Sequence, residues 1–485
     1  MQVSNKGLPG KDYKPFSQQD LKEIDEAVME ILSEVGVEVN CQEALDLLED
    51  KGAEVDSENT VARLPRAMVE EAIASAPSSV LLRGREKRHD LHLEENRVHF
   101  GTGGTVLNVL DLETGEKRKI NIQDVADIAR LVDALENIHF FLIPVYPEEC
   151  NDENVDVNRF YASLKNTTKH VMGGVYSSKG IERVIEMATD IAGSKEKLVA
   201  DPFISFITCV MSPLKLDRDY TKFLMQIARE GLPVAIPAEP LSGGTGPVTV
   251  AGNIVMMTAE SLAGLVVAQL VNPGTPVIFA STASVMDLKS SAYITGAVEA
   301  GLMHAGVAQV AQYYQLPLYA TAGMSDSKVP DIQAGYEKAI TAMLAGLSGA
   351  NYIHDAAGLL EFCMTVAYEQ YVIDNEIIGM IMRAIRGIEV NSETLGVDAI
   401  KRVGPGGHFL TEEHTLKYMR DEYFEPEISD RQLRENWEKD GSLSGRERAV
   451  ARAKEILNSH QPAAIDQELD SMLQKKFPEI ILDQE

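Results

Sequence analysis

The sequence predicts a (β/α)8 TIM-type barrel with N-terminal and C-terminal helical extensions. Between residues 97 and 389, short apolar or β-branched runs alternate with amphipathic segments, and this alternation repeats eight times. Such alternation is typical of parallel strands joined by helices. No glycine-rich dinucleotide fingerprint follows the first run, which favours a closed barrel. An open doubly wound sheet is the alternative that the pattern leaves open.

Residues 1–96 are predicted to form an N-terminal arm and a helical lead-in. Ser17 is a suitable cap for a helix whose apolar residues recur at three- and four-residue spacing, and Gly36 is a suitable stop. A second helix is predicted at 43–48, and Pro65 can begin a third. No residue pattern in this region indicates chemistry.

Residues 97–389 are predicted to be the barrel domain, and residues 390–485 a C-terminal helical extension that covers it. Apolar runs mark the strands, and apolar side chains at helical spacing mark the helices. The predicted strands are 98–101, 138–146, 170–176, 203–210, 233–237, 276–281, 317–322 and 351–355. The predicted helices are 123–136, 155–167, 179–192, 217–230, 250–271, 291–314, 331–347 and 366–386.

Composition excludes several classes of function. The chain has 45 Lys and Arg against 74 Asp and Glu, a net charge of −29, which argues against nucleic acids and anionic membranes as partners. The four cysteines are scattered and the histidines form no ligand motif, so neither a metal site nor a disulfide scaffold is predicted. The N-terminus lacks an apolar signal core, which predicts a cytoplasmic protein. The long apolar stretch at 248–270 is interpreted as a buried helix.

In a barrel the active site lies at the carboxyl ends of the strands, and the sequence places few charges there. Small residues in these loops would let a large ligand approach the backbone. Carboxylates and aromatic rings together are suited to a quaternary ammonium, which cannot donate hydrogen bonds. The candidate residues, in order of the strands they follow, are Gly103 and Gly104, Tyr146, Tyr176, Glu239, Gly243 and Gly244, Asp326 and Lys328, and His354 and Phe362.

Each candidate also has a structural interpretation. The loop at 242–247 lacks the lysine of a phosphate-binding loop, so it is either a turn or a flat surface for a bulky cofactor. Glu239 could be paired structurally, and Asp326 could cap the next helix. His354 could be a satisfied core residue. Lys328 could form a Schiff base, as in an aldolase.

Five segments carry a family resemblance, which extends over about residues 17–460. They are EILSEVGVEV near the start, GTGGT after the first strand, the SGGTGPVTVAG loop, SDSKVPDIQAGYEK after the seventh strand and GPGGHFLTEEHTLKYMR in the tail. With them the chain resembles the trimethylamine:corrinoid methyltransferase superfamily. Members are (β/α)8 barrels that move a methyl group from a methylated amine to the cobalt of a corrinoid protein. This chain contains only standard residues, so it resembles the branch without pyrrolysine, which demethylates quaternary amines.

The resemblance implies a methyltransferase that acts on a quaternary amine, with glycine betaine as the best candidate and proline betaine, carnitine and γ-butyrobetaine as alternatives. The corrinoid would arrive on a cognate partner protein, with no metal or tightly bound cofactor in this chain. A homo-oligomer is expected. The resemblance implies that Glu239 and Asp326 supply a negative potential and that Tyr146, Tyr176 and Phe362 form an aromatic wall. His354 would bind the substrate carboxylate or orient the corrinoid. Cofactor contact is expected from Gly103, Gly104, Gly243 and Gly244, and partner docking from Gly406 and His408.

The predicted mouth has no catalytic triad and no acid–base pair, and the reaction needs neither. A quaternary ammonium already carries the positive charge that makes a tertiary amine a neutral leaving group. The barrel then has only to position the methyl group and exclude water. Two alternatives remain: a Schiff-base barrel that uses Lys328, and a betaine-binding protein without catalysis.

Overall fold

The computed structural model describes residues 7–10, 13–463 and 465–482. Within these ranges, eight parallel strands pair in the order β1-β8-β7-β6-β5-β4-β3-β2, and a parallel bridge joins Gly101 to Phe140, beside β2. The strands are β1 (Arg97–Thr102), β2 (Phe141–Leu142), β3 (Val171–Gly174), β4 (Ile204–Ile207), β5 (Val234–Ala238), β6 (Val277–Ser281), β7 (Leu318–Thr321) and β8 (Tyr352–Ala357). The predicted alternation of strands and helices is confirmed.

One long helix follows each strand, as the parallel pairing requires. The helices are α1 (Ile122–Ala134), α2 (Val155–Asn166), α3 (Ser178–Ala192), α4 (Arg218–Glu230), α5 (Val250–Val271), α6 (Val298–Tyr314), α7 (Ile332–Leu347) and α8 (Tyr368–Arg386). The predicted start of α6 at residue 291 is wrong. Two short antiparallel strands, Ser284–Asp287 and Ala292–Ile294, precede that helix, and the first of them pairs with Leu241–Ser242.

The N-terminal region begins with the helix Gln18–Glu30, whose predicted cap is confirmed. The Ser17 side chain accepts a hydrogen bond from the Asp20 amide, and the Asp20 side chain accepts one from the Ser17 amide. The chain leaves this helix through one π-helical turn and ends it at Gly36, with φ of +79°. The other predicted helices are Gln42–Asp50 and Arg66–Ser75.

The same region also contributes a β-hairpin that the helical prediction missed. Ser79–Leu82 pairs antiparallel with Leu91–Glu94. Its alternate residues, Val80, Leu82, Leu91 and Leu93, are buried in one cluster with the apolar side chains of the barrel strands. The hairpin therefore closes the amino end of the strands with apolar side chains, and the opposite end is left for the ligand.

The C-terminal extension packs on the outer face of the helices that surround the strands. Its helix Gly445–Ser459 packs against α8 and α1, with the Arg446 guanidinium 3.0 Å from Glu369 at the start of α8. His460, at the other end, lies 2.8 Å from Asp133 at the end of α1. The extension thus fixes the outer face of two neighbouring helices.

Helix α5 is long and apolar enough to cross a membrane by composition alone. Of its most apolar 18-residue window, 78% is buried inside the protein. That burial is typical of a core helix, as the sequence predicted for this stretch.

Candidate active site

The carboxyl end of β8 brings two titratable side chains to the end of the sheet where the parallel strands finish, which we call the mouth. The register of β8 against β1 shifts between Ile353 and Ala357, which is a β-bulge. Asp355 lies in this bulge with φ of +64°, a left-handed conformation that non-glycine residues rarely adopt. Bulges commonly redirect side chains beside active sites. Here the bulge places both His354 and Asp355 in the mouth, where neither is more than 4% exposed.

A column of stacked rings supports His354 from below. Its imidazole stacks on Tyr319 with ring centroids 4.0 Å apart, Tyr319 stacks on Tyr352 at 5.6 Å, and Tyr352 stacks on Phe140 at 3.5 Å. These side chains come from β7, β8 and the residue before β2. The column fills the barrel interior and fixes the plane of the imidazole.

Hydrogen bonds fix the other edge of His354. Its Nε2 is hydrogen-bonded to the Thr321 hydroxyl, which itself donates to the Ser281 carbonyl oxygen at 3.1 Å. The Nδ1 atom faces Asp355 Oδ1 at 3.0 Å.

The His354 Nδ1 and Asp355 Oδ1 atoms are buried, and among the described residues neither has a well-aligned hydrogen-bond partner. Buried polar atoms are normally satisfied, so unpartnered ones indicate a place where a ligand binds. This pair marks the floor of the candidate site.

Glu239 follows β5 directly, as predicted, and faces the same mouth. Solvent reaches the side chain, but protein surrounds it closely enough that desolvation raises the pKa of Glu239 to about 7. A hydrogen bond with Tyr293 lowers that pKa, and the charge of Asp355 raises it. The charge of Asp355 therefore acts on Glu239 across the mouth. None of the described ion pairs joins a cation of the chain to Glu239.

Tyr146 and Tyr176 contact each other, and their role in an aromatic wall for the ammonium stays a prediction. Their rings meet edge to face with centroids 5.2 Å apart. The buried guanidinium of Arg159 lies 5.5 Å from the Tyr176 ring and donates to backbone carbonyls at the ends of β2 and β3. The Tyr176 amide donates to Asp156 at 3.1 Å. Both strand ends, and with them the two rings, are therefore held rigidly.

Asp326 has a structural partner in the neighbouring loop. Its carboxylate accepts hydrogen bonds from the amide and the hydroxyl of Thr295, at 2.8 and 2.7 Å. Asp326 therefore ties the loop after β7 to the loop after β6. The helix cap that the sequence offered as an alternative for Asp326 is instead Asp331, which accepts from the Ala334 amide. The role of Asp326 in the negative potential stays a prediction.

Lys328 and Phe362 contact each other. The Lys328 ammonium lies 4.2 Å from the centroid of the Phe362 ring and donates to the Asp326 carbonyl oxygen at 2.9 Å. One face of the predicted wall residue is therefore already occupied by a cation of the chain. Phe362 lies in a turn of three consecutive left-handed residues, 361–363, after β8.

The glycines after β1 allow the close approach that the sequence predicted. A methyl group on Gly103 would overlap Asp355 Oδ1 and lie 2.8 Å from His354 Nδ1, so only glycine fits against this pair. Gly104 has φ of +86° and faces the Cys363 thiol. Gly243 and Gly244 lie in the turn beneath the paired strands after β5 and β6, against Leu288 and Met286.

Gly406 and His408 are not brought together with the other candidates. They follow the short helix Val397–Val403, beyond the C-terminal end of α8. Helix α8 starts at the mouth and runs to the opposite end of the strands. Their predicted role in docking stays a prediction.

Sequence reasoning placed Asp355 at the end of the eighth strand but gave it no role, and it missed Tyr293 and also His304, whose Nε2 donates to the Ala283 carbonyl at 3.0 Å. Burial lowers the pKa of His304 to about 3, so its ring is neutral and accepts from the Thr321 amide through Nδ1. Asp355 adjoins a predicted residue, which was a usable signal. In the part of the chain that the structure describes, no cluster of three or more His, Cys, Asp or Glu side chains could hold a metal ion.

The chain is similar to known methyltransferases. The family model described as trimethylamine methyltransferase (MTTB) matches residues 3–478. The trimethylamine methyltransferase MttB of Desulfitobacterium hafniense (strain DSM 10664 / DCB-2) is 37% identical over 471 residues, covering 97% of this chain and 94% of that protein. The glycine betaine methyltransferase of Desulfitobacterium hafniense (strain Y51) is 34% identical over 463 residues, covering 95% and 96%.

A solved structure also aligns along the whole chain. The monomethylamine methyltransferase (MtmB) of Methanosarcina barkeri covers 96% of this chain and 100% of that one, with 12% identity and a TM-score of 0.48. The family model and the two relatives each extend over nearly all of the sequence. The chain therefore belongs to the trimethylamine methyltransferase family, and it is a methyltransferase.

Proposed function

We propose that this protein transfers a methyl group from a quaternary amine, with glycine betaine as the best candidate, to the reduced corrinoid of a partner protein. The product would be the tertiary amine, dimethylglycine. The observation that carries the proposal is that two carboxylates, Glu239 after β5 and Asp355 on β8, face the mouth, and that none of the described ion pairs joins Glu239 to a lysine or arginine.

The electrostatics of this pair favour a cationic ligand. Two carboxylates that share a partly desolvated site repel each other, and this repulsion adds to desolvation in raising the pKa of Glu239 to about 7. A bound ammonium group would supply the missing positive charge. The raised pKa of Glu239 in the free protein therefore supports a site built for a cation.

The aromatic side chains fit the same ligand. A quaternary ammonium is held by ring faces and by carboxylates, since it has no N–H group. The Tyr146–Tyr176 pair is fixed by Arg159 and Asp156, and Tyr293 is hydrogen-bonded to Glu239. Rigid rings lose little freedom when a ligand binds, which supports tight positioning of the methyl group.

When bound, a reduced corrinoid supplies a cobalt nucleophile, so no side chain of this chain has to attack the methyl group. The residues in the mouth then bind the ammonium, orient one methyl group outward and exclude water. The departing amine is neutral and needs no proton. Burial holds His304 neutral, and both of its ring nitrogens are hydrogen-bonded within the protein, so it is not arranged for proton transfer.

The glycines support access for a bulky planar group. Gly103 lies directly against the His354–Asp355 pair, and the backbone at Gly104 has a left-handed conformation. A side chain larger than hydrogen at Gly103 would displace Asp355 and so disturb the floor of the site. We propose that the corrinoid reaches the reacting methyl group over the loop after β1.

The quaternary substrate is favoured over trimethylamine by the sequence itself. Relatives that are 34–37% identical are named for both substrates. This chain consists of standard residues, whereas the trimethylamine enzymes that it resembles carry pyrrolysine.

We infer also that the sheet closes into a (β/α)8 barrel, because the strands follow one another in sequence order and Gly101 bridges to Phe140. A cytoplasmic homo-oligomer that binds neither nucleic acid nor membranes completes the proposal.

The test is single-turnover methyl transfer under anaerobic conditions. The protein is incubated with its reduced corrinoid partner and with glycine betaine, proline betaine, carnitine, choline or trimethylamine in turn, and methylcobalamin is followed by its absorbance. We expect transfer with one betaine, and loss of transfer in Glu239→Gln. A Schiff-base mechanism would appear as borohydride trapping of a carbonyl substrate that is lost in Lys328→Ala. We expect no such trapping that depends on Lys328. Binding of a betaine without transfer under any reduced condition would contradict the proposal and favour a binding protein.

A further inference from the structure

Behind the mouth lies a fully buried ion pair that contacts no candidate ligand position. The Lys338 ammonium on α7 lies 3.0 Å from the Asp374 carboxylate on α8, and both side chains are 1% exposed. Buried pairs of this kind stabilise a fold little when compared with apolar residues of the same size, because both charges lose their hydration. Their presence therefore calls for a role other than stability.

Each member of the pair holds one strand end at the mouth. Lys338 donates to the Gly323 carbonyl oxygen at 2.6 Å, just beyond β7. Asp374 accepts from the Gly358 amide at 2.7 Å, just beyond β8, and from Gln370 at 2.8 Å. The pair thus links the ends of β7 and β8 through charge-assisted hydrogen bonds, which are stronger than neutral ones.

The strained residue of the site, Asp355, lies on β8 close to both anchored strand ends. Gly323 packs against the backbone of Ala356, and Gly358 packs against the ring of Tyr371, so both glycines allow no side chain. Between them Asp355 has φ of +64°. A left-handed non-glycine residue persists only where its surroundings determine the backbone, and here the two anchors do so.

We propose that the Lys338–Asp374 pair is a positioning device that holds the β8 bulge in the form that presents Asp355 and His354 to the substrate. The inference rests on the proposed function for its catalytic consequence. Its structural consequence, the arrangement of the loop after β8, can be measured without any turnover. Lys338 and Asp374 themselves touch neither substrate nor corrinoid.

The test compares Lys338→Met, Asp374→Asn and the double variant. Lys338→Met alone leaves a buried carboxylate without its cation and should lower Tm. The double variant removes both charges, so most of the lost Tm should return. We expect kcat for methyl transfer to stay lowered in the double variant, on the order of 10²-fold for a displacement of about 1 Å. His460→Gln, which breaks the pair with Asp133 at the other end of the strands, is the control and should leave kcat unchanged.

Alkylation of two cysteines reports the loop directly. Cys363 lies in the turn after β8, close enough to Lys338 for that charge to influence its pKa, whereas Cys209 lies at the mouth beyond β4. We expect the rate at Cys363 to change severalfold both in the double variant and in Asp374→Asn, which keeps Lys338, with the rate at Cys209 unchanged, as resolved by peptide mass spectrometry. Recovery of kcat and of the Cys363 rate together with Tm would show a merely structural pair and overturn the inference.

The two proposals fail in different ways. Absence of transfer in the unmodified protein with every amine would contradict the proposed function, while the Cys363 rates would still decide the positioning role. If the double variant does not fold, Asp374→Asn tests the positioning role instead, because its side chain keeps an acceptor for the Gly358 amide. An unchanged kcat and an unchanged Cys363 rate in folded Asp374→Asn would then overturn the inference.

Discussion

Replacing Glu239 by glutamine tests the electrostatic basis of the site. The amide keeps the size of the side chain and can still bond to Tyr293, but it removes the negative charge that a quaternary ammonium would meet. We expect Glu239→Gln to bind glycine betaine more weakly at pH 8, with little change in fold.

The size of the effect follows from the geometry of the mouth. Two unit charges about 4–5 Å apart attract by roughly 4 kcal/mol at an effective dielectric of about 20. Solvent reaches Glu239, so about half of that value, roughly 2 kcal/mol, is a reasonable expectation. A loss of that size corresponds to a Kd raised by about 10- to 30-fold.

The raised pKa of Glu239 also predicts how the Kd depends on pH. With a pKa of about 7, Glu239 is about nine-tenths ionised at pH 8 and about one-tenth ionised at pH 6. A cation favours the ionised form, so binding releases a proton at acidic pH and weakens as the pH falls. The Kd of the unmodified protein should rise by up to about tenfold from pH 8 to pH 6, whereas the Kd of Glu239→Gln should stay level.

Isothermal titration calorimetry measures both effects, and titration in two buffers of different ionisation enthalpy counts the released protons. Glu260→Gln is a matched control. Burial also raises the pKa of Glu260 to about 7, but its carboxylate accepts from Ser212 and Leu214 instead of facing the mouth. A level Kd in the unmodified protein, together with an unchanged Kd in Glu239→Gln, would refute the assignment of Glu239 to the ammonium.

Three further outcomes are expected. Gly103→Ala should lower the methyl-transfer rate at least about tenfold, since the added methyl group would displace Asp355, while Gly174→Ala, with no atom within 4 Å, should transfer normally in the same assay. Arg159→Met should lower the free energy of unfolding by about 2–4 kcal/mol in urea titrations, because it removes the guanidinium donors of three backbone carbonyl oxygens, two of them buried. Burial lowers the pKa of His170 to about 4, so its contribution to stability is complete above pH 6.5 and is lost towards pH 4; His170→Gln should flatten Tm against pH in that range, and an equally steep curve would contradict this.

Much of the fold could be predicted because its signals are local. Apolar runs and capping residues mark each strand and helix, and the predicted α5 at 250–271 agrees with the observed bounds. The carboxyl ends of strands are then fixed by topology, which is why Glu239 and His354 were found. The hairpin at 79–94 was missed although its alternating leucines and valine carry a period of two, since each strand has only four residues.

The rest of the site depends on contacts that a sequence does not display. A β-bulge turns Asp355 into the mouth, and the residue types of β8 do not predict that shift of register. Tyr293 was assigned to a helix because the paired strands before α6 are short. Asp326 has the residue type of a site carboxylate, but its partner, Thr295, is 31 residues away. Long-range pairing of this kind decides which carboxylates are free to meet a ligand.

The state of Glu239 also bears on the choice between amines. A tertiary ammonium has an N–H group that could donate to a carboxylate, so a single strong acceptor would suffice to hold it. A quaternary ammonium has none and must be held by summed charge and by ring faces, which need several groups around one centre. The mouth has that form, with two carboxylates and the rings of Tyr146, Tyr176 and Tyr293. A carboxylate whose pKa is raised to about 7 near a second one becomes fully ionised when a cation arrives, and the two charges together can then hold a group that offers no N–H.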